Sequence, residues 1–473
     1  MRKFLVLLLL PGCALLYGCA VGPDYKRPEL EVPAAYKGAS AADWKPAEPR
    51  DAVPRGMWWK MFGDPELDAL MARVDAANQS IAAAEAQVRI SAALAEQSRA
   101  GFWPQLTGTI QKTESKPSQT TGPVVGQAAN KRTIYSLPLN FSWEADLWGR
   151  IRRLVEAGDA GTQASASDLV NARLLAQATL AQNYFQLRAL DLQKALLDQT
   201  ADAYGKSLQM TRNRYDAGVV SRLDVVQAET QLNSARAQSL DLSVQRTQLE
   251  NAIAVLVGTP ASGFSLAQGA LTNPLPVVPP AGLPADLLER RPDVAAAERR
   301  VEAANAQIGV AKAAYFPAAT LSGTYGWQTA QRALWFTAPS NFWSLGVALA
   351  MTLFDGGRRA AVSDQAQASY DQTVANYRGT VLQAFTDVED NLAALRILEQ
   401  EAAIQEDTVR AAQQALDITL NQYKSGIATY LQVVVAQAAA LQAQTAALGI
   451  RQRRMAASVL LVKALGGGWE EKP

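Results

Sequence analysis

The stretch Arg214-Tyr215-Asp216-Ala217-Gly218-Val219-Val220-Ser221-Arg222-Leu223-Asp224-Val225-Val226 has a counterpart 208 positions later. There the chain reads Gln422-Tyr423-Lys424-Ser425-Gly426-Ile427-Ala428-Thr429-Tyr430-Leu431-Gln432-Val433-Val434. Each copy spells a helix end, a glycine able to take the left-handed conformation, and a new helix start. Ser221-x-x-Asp224 and Thr429-x-x-Gln432 read as capping boxes, which satisfy the orphan amides of the next helix. For Asp224 a capping role is the simplest reading. Two such turns at one spacing mean that the chain is a tandem repeat.

Working outward, Phe102-Trp103-Pro104 matches Tyr315-Phe316-Pro317, and Trp148-Gly149-Arg150 matches Gly356-Gly357-Arg358. Each half therefore has one plan: helix, hairpin, very long helix, tight turn, long helix. Leu67 to Ala100 and Arg150 to Arg214 are rich in Ala, Gln, Leu and charged residues and nearly free of Gly and Pro, a helix-forming composition. At 1.5 Å per residue the second would run roughly 100 Å. Ala228, Ala235, Leu242, Leu249 and Leu256 recur every seven residues, as do Ala436, Ala443, Ile450, Ala457 and Ala464. A heptad seam of small residues implies long helices packed side by side.

The hairpins, at about 104–147 and 317–355, change the period to two. Tyr135, Leu137, Leu139, Phe141 and Trp143 alternate with Ser136, Asn140, Ser142 and Glu144. Trp343, Leu345, Val347, Leu349, Met351 and Leu353 alternate with small or polar residues. The partner segments, Leu106 to Lys112 and Leu321 to Trp327, alternate less cleanly. Each run has the length of a tilted membrane strand, yet a half-buried soluble sheet alternates too.

The N-terminus bears on that choice. Arg2 and Lys3 precede a short apolar run, Phe4 to Leu10, and Leu16-Tyr17-Gly18-Cys19 then reads as a lipobox with Cys19 acylated. A rival box ends at Cys13 behind Pro11, and a plain cleaved secretory peptide is the blander alternative. Ala20 stands where an Asp would signal inner-membrane retention. A lipid anchor favours membrane strands, and no later stretch offers some 20 uninterrupted apolar residues for a spanning helix. Four strands per chain would leave open edges in lipid. Two chains would give eight strands filled by side chains; three would give twelve and room for a bore.

Composition narrows the chemistry. The 473 residues carry a formal net charge of +1, two Cys and no His. The commonest general base and zinc ligand is missing. The Lys, Asp and Glu residues spread along helices without forming an acid/base pair. No enzyme activity, cofactor, metal or nucleic-acid partner is expected.

The sequence resembles the TolC-like outer-membrane factors, specifically the OprM/NodT lipoprotein branch. The resemblance covers the whole mature chain. It rests on Cys19-Ala20-Val21-Gly22-Pro23-Asp24-Tyr25, on Trp58-Trp59 with Phe62-Gly63-Asp64-Pro65-Glu66-Leu67, and on Asp146-Leu147-Trp148-Gly149-Arg150. Arg290-Arg291-Pro292-Asp293-Val294 and the ending Lys463-Ala464-Leu465-Gly466-Gly467-Gly468-Trp469 complete it. The resemblance implies a mostly α protein with a membrane β-barrel: a homotrimer whose twelve strands stand over a periplasmic α-helical barrel. It implies a passive exit duct for small molecules in a Gram-negative outer membrane. The expected partners are a periplasmic adaptor and an inner-membrane pump of the resistance-nodulation-division type. An outlet for type I protein secretion is the alternative with the same fold; an enzyme or surface-binding lipoprotein with a helical stalk is more distant.

The expected divisions are a signal peptide (1–18), a lipid-anchored extended segment (19–65), a first repeat (66–258), a linker (259–285), a second repeat (286–466) and a tail (467–473). The turns are the expected periplasmic tips for adaptor docking and gating. Tyr215, Gly218, Ser221, Asp224 and Gln227 form one, and Tyr423, Gly426, Thr429, Leu431, Gln432 and Val435 the other. Gln227 and Val435 stand where some family members carry an acidic gate residue, so an acidic constriction ring is not expected at that level.

Overall fold

A computed structural model describes residues 20–30, 56–116, 118, 131–269 and 290–467. Cys13, Cys19, most of the first hairpin loop, the later part of the linker and Trp469 lie outside the described residues. Seven α-helices occur among those described: α1 (Pro65–Ala77), α2 (Gln79–Arg99), α3 (Arg150–Asp216), α4 (Arg222–Leu256), α5 (Pro292–Ala313), α6 (Arg358–Lys424) and α7 (Tyr430–Ala464). Five strands accompany them: β1 (Gln105–Gly108), β2 (Gln111–Ser115), β3 (Arg132–Ala145), β4 (Ala318–Thr329) and β5 (Asn341–Ala350). Helices α3 and α6 have 67 residues each, and α4 and α7 have 35 each. The repeat in sequence is thus a repeat in structure.

The chain divides into two compact units. One gathers Gln87–Ser165 and Ala296–Tyr377 with the N-terminal residues through Glu29; the other gathers Ala166–Ala295 and Arg378–Pro473 with Leu30–Ala86.

The first unit holds the sheet. Its strands are all antiparallel, in the order β1/β2, β3, β4, β5. Strands β1 and β2 share one register on β3, with Gly108 opposite Leu139 and Gln111 opposite Ser136. The single strand expected at Leu106 to Lys112 is therefore interrupted rather than shifted. The gap falls where Thr109 faces Pro138: Thr109 N donates to Pro138 O at 3.2 Å, but proline has no N–H to return. Strand β5 stops at Ala350, short of the expected Leu353, and Leu353 and Phe354 are exposed.

The same unit fastens the N-terminal segment. Val21 N donates to Trp148 O at 2.9 Å, and Asn305 Nδ2 to Pro23 O at 2.9 Å. The buried Arg153 side chain reaches Asp24 at 2.9 Å, and Arg27 pairs with Glu298 at 2.7 Å. Gly22 lies so close to Gly309 that a Cβ on Gly22 would stand 2.5 Å from the Gly309 Cα. Only glycine fits there.

In the second unit Trp58, Trp59 and Phe62 form a 3₁₀ turn whose rings enter the core with Leu67, Met71, Tyr184 and Phe185. The end of the segment expected to be extended is thus packed. Asp64 caps α1, its Oδ1 accepting from Glu66 N and Leu67 N. The helix expected from Leu67 to Ala100 breaks at Asn78, whose Oδ1 accepts from Ser80 N and Ile81 N while its Nδ2 donates to Leu256 O. An asparagine satisfying both a new helix start and a distant carbonyl costs one turn of continuity.

The described start of the linker is pinned. Leu266 O accepts from Arg246 at 2.7 Å, and Gly269 N donates to the buried Asp191 at 3.1 Å. Asp191 also pairs with Arg246 at 2.7 Å and Arg188 at 3.0 Å. Helix α7 is long and apolar enough to cross a membrane by length and composition, although Gln437, Gln442 and Gln444 interrupt its apolar run. Its apolar stripe is used in packing, since Tyr430, Val433, Ala440, Ala443, Ile450 and Met455 are buried within the chain. Among the α4 seam residues Ala228, Ala235 and Leu242 are buried, and Leu249 and Leu256 pack partly buried against the core.

Candidate functional site

Cross-strand register sorts the sheet's side chains. Opposed residues of antiparallel strands share a face. Leu106 opposes Phe141, Leu137 opposes Trp327, Leu139 opposes Tyr325, and Trp143 opposes Leu321. Leu321 in turn opposes Val347, and Tyr325 opposes Trp343. One face is therefore apolar across β1, β3, β4 and β5, whereas β2 places Lys112 on it opposite Tyr135. The other carries Ser136, Asn140 and Ser142 against Gln328, Thr324 and Ser322, and Thr324 and Ser322 in turn oppose Ser344 and Gly346. Thr324 Oγ1 donates to Asn140 at 2.9 Å on that face. Trp343, Leu345, Val347 and Leu349 are all more than two-thirds exposed in the isolated chain. An outward row of that kind needs an apolar surrounding.

The two turns belong to the second unit. At the first, Gly218 has φ +71° and donates to Tyr215 O at 2.8 Å, while Val219 N reaches back to Arg214 O at 2.8 Å. At the second, Gly426 has φ +78° and donates to Tyr423 O at 3.0 Å, and Ile427 N reaches Gln422 O at 2.9 Å. Both are Schellman-type ends, which the left-handed residue makes possible. The next helices start with matching caps. Ser221 N donates to Asp224 Oδ2 at 3.1 Å, and Thr429 N to Gln432 Oε1 at 2.8 Å. Asp224 thus serves as a capping carboxylate.

Around the second turn the structure builds a cluster. Tyr423 is buried, its hydroxyl 3.2 Å from Thr211 Oγ1 and its ring edge-on to Tyr430 at 5.5 Å. Arg214 lies over the Tyr423 ring, 4.6 Å from its centroid, and donates to Tyr423 O. Tyr204, Leu232 and Val433 complete the packing. Burial pushes the Tyr430 and Tyr204 hydroxyls above the ordinary tyrosine value. Alongside lies a cavity of about 460 Å³, lined in part by Tyr204, Ser207, Lys424 and Gln437.

Of the anticipated tip residues, the structure draws Tyr423 inward and leaves Tyr215, Leu431 and Val435 exposed. Gln227 is half-buried, and its Oε1 has no hydrogen-bond partner among the described residues. Sequence reasoning missed Arg214, Thr211 and Tyr204. Arg214 opens the first repeated motif, but nothing local marks it as the residue that crosses to the other turn. Val219, Leu223, Val226 and Ile427 are exposed beside the turns, an apolar surface that the motif comparison passed over.

One unit thus carries a sheet with one apolar face, and the other carries paired long helices that end in matched turns. The outer membrane efflux protein family model matches residues 70–259 and 283–467. The chain belongs to the outer membrane efflux protein family. This efflux protein is 32% identical over 465 residues to the pyoverdine export outer membrane protein OpmQ of Pseudomonas aeruginosa, covering 98% of this chain and 96% of that one. It is 28% identical over 466 residues to the cation efflux system protein CusC of Escherichia coli, covering 98% and 99% respectively. Among solved structures, the outer-membrane channel OprN matches with TM-score 0.84 and 29% identity over 95% of this chain and 100% of that one. The efflux protein is an outer-membrane efflux channel component.

Proposed function

We propose that three copies of this chain close their sheets into one twelve-stranded barrel and act as the passive exit duct of a tripartite pump. The observation that carries this is the sheet's two open edges, β1/β2 and β5, on a surface whose outward face is apolar. An open edge in lipid leaves backbone N–H and C=O groups unsatisfied at several kcal/mol each, so edges of neighbouring copies must pair. Three chains leave a bore where two would not. The polar face of Ser, Thr and Asn then lines the lumen.

The two turns are the working end, where a periplasmic adaptor docks and an inner-membrane pump of the resistance-nodulation-division type delivers cargo. The exposed Val219, Leu223, Ile427 and Leu431 supply apolar contacts for docking. The relatives are named for pyoverdine export and for cation efflux, cargoes of unlike chemistry. A shared duct with different cargo places selection upstream, so this chain passes small molecules without choosing among them. Cys19 carries the lipid anchor, and the fastened segment Val21–Arg27 ties it to the first unit.

The test is a cysteine pair, Thr107→Cys on one edge and Ala348→Cys on the other, in protein purified from membranes. Disulfide-linked species ending at three chains are expected, together with an acyl-modified N-terminal peptide by mass spectrometry. Cross-linked ladders that stop at two chains, or that form only within one chain, would exclude the shared twelve-stranded barrel. An unmodified Cys19 would exclude the anchor.

A further inference from the structure

The loop end of the sheet concentrates positive charge beside an aromatic cluster. From Gln105 through Trp143 the sequence holds Lys112, Lys116, Lys131 and Arg132 against Glu114 as the sole acid, and from Ala318 through Ala350 Arg332 is the one charged residue. Lys112 opposes Tyr135 in the ladder and so stands on the apolar face. Glu114 accepts from Lys112 at 2.8 Å and from Lys131 at 2.7 Å. Arg332 opens the short loop whose Trp335 packs on Tyr135, the residue opposite Lys112. Two cations thus share one carboxylate, with a third on the neighbouring loop.

The aromatic residues collect at the same end. The Trp335 and Phe336 rings stack at 5.1 Å, and the short loop that carries them folds them back onto the apolar face. Trp335 meets Tyr135 at 5.5 Å, Phe336 meets Trp327 at 5.9 Å, and Trp327 meets Tyr325 at 5.4 Å. Phe336 remains 65% exposed. Trp143 lies eight residues along β3 from Tyr135, about 27 Å along the strand; at a tilt of about 35–45° this covers roughly 19–22 Å of height, most of the ~25 Å apolar band between the aromatic girdles of a membrane barrel. The cations therefore sit at the level where acyl chains give way to headgroups.

We propose that the loop end of the sheet binds a phosphate-bearing lipid headgroup of the outer leaflet, held by Lys112, Lys131 and Arg332, with Phe336 and Trp335 against its acyl chains. The proposal rests on the outer-membrane reading above, which sets the loop end outward. The excess of cations over carboxylate selects an anionic headgroup. The flanking Tyr135, Trp327 and Trp335 rings, amphipathic and at interface depth, select a lipid over a free anion. Juxtaposed basic residues at a membrane surface each contribute enough to matter.

The experiment is native mass spectrometry of the detergent-purified full-length protein titrated with bisphosphorylated lipid A, with dephosphorylated lipid A, and with inorganic phosphate as competitor. Preferential retention of the phosphorylated lipid is expected. Lys112→Gln and Arg332→Gln should each weaken it about fivefold, whereas Lys112→Arg should keep it. Phe336→Ser should weaken both lipids. Equal retention of the two lipids, wild-type retention by the Lys112→Gln/Arg332→Gln double variant, or full displacement by inorganic phosphate would overturn the proposal. Planar-bilayer conductance of the same preparations separates the two readings. Conductance without phosphate-selective lipid retention removes only the lipid site; a wild-type protein that opens no conductance removes the channel reading beneath it.

Discussion

Two turns with the same backbone carry tyrosines of opposite fate. Tyr215 and Tyr423 occupy the same place in the repeated motif, three residues before glycines with φ +71° and +78°. Tyr215 is 43% exposed and Tyr423 2%. The difference arises one residue after each cap: position 222 is Arg, and its counterpart 430 is Tyr, which packs edge-on against Tyr423. Arg214, the counterpart of Gln422, then crosses from the first turn to the carbonyl of Tyr423. One turn is thus anchored through its side chains, and the other presents them to solvent. Local sequence specifies a turn; its partners decide whether that turn is a fixed point or a free surface.

The largest expected effect comes from breaking the anchored side. Tyr430→Ala removes a buried ring and should cost about 3–5 kcal/mol of local stability, in the range of large-to-small core substitutions, read by thermal or denaturant unfolding. Tyr215→Ala should stay within about 0.5 kcal/mol. Comparable losses for the two would show that burial does not distinguish the turns.

A smaller contrast is expected at the glycines. Gly426→Val forces a β-branched residue into the left-handed region, whereas Gly218→Ala asks for that conformation at about 1–2 kcal/mol. A Cβ at Gly218 meets no heavy atom within 4 Å, while at Gly426 the Arg214 guanidinium stands 3.9 Å away. Drug susceptibility measured against the abundance of assembled protein should show efflux falling more for Gly426→Val than for Gly218→Ala, with assembly retained in both. Normal efflux and normal adaptor cross-linking near Ser425 in Gly426→Val would remove this turn from docking and gating.

The mildest probe is alkali. Burial, the leading cause, raises the Tyr430 and Tyr204 hydroxyls above 10, their ordinary value. The folded state therefore holds those protons more tightly than the unfolded one. The stability this contributes is complete below the unfolded value of about 10 and is lost as pH climbs from there through the folded values. Amide exchange should accelerate around Tyr430 above pH of about 10 before it does around Tyr215. Simultaneous loosening at both turns would argue against the asymmetry.

Much of this architecture could be read from the residues. Left-handed glycines, caps three residues apart and the change of period from seven to two are local patterns, decided within a few residues of each position. Strand β4 shows where such reading stopped: Leu321, Gly323, Tyr325 and Trp327 alternate weakly by themselves. Their face becomes plain only when β3 supplies Trp143, Phe141, Leu139 and Leu137 opposite them. The break between β1 and β2 was equally hidden, because its cause, Pro138, lies in the partner strand.

The sequence by itself determined the repeat, the long helices, both turns and the alternating strands, since propensity, capping and φ preference act over one to six residues. The tertiary structure alone decided which tyrosine is buried, which face β4 presents, where the ladder breaks, and that Lys112 and Lys131 share the Glu114 carboxylate. Those outcomes join residues as far apart as Tyr135 and Trp335, or Thr211 and Tyr423. Contact at such separation comes from strand register and helix packing, and no window along the chain contains both members of the pair.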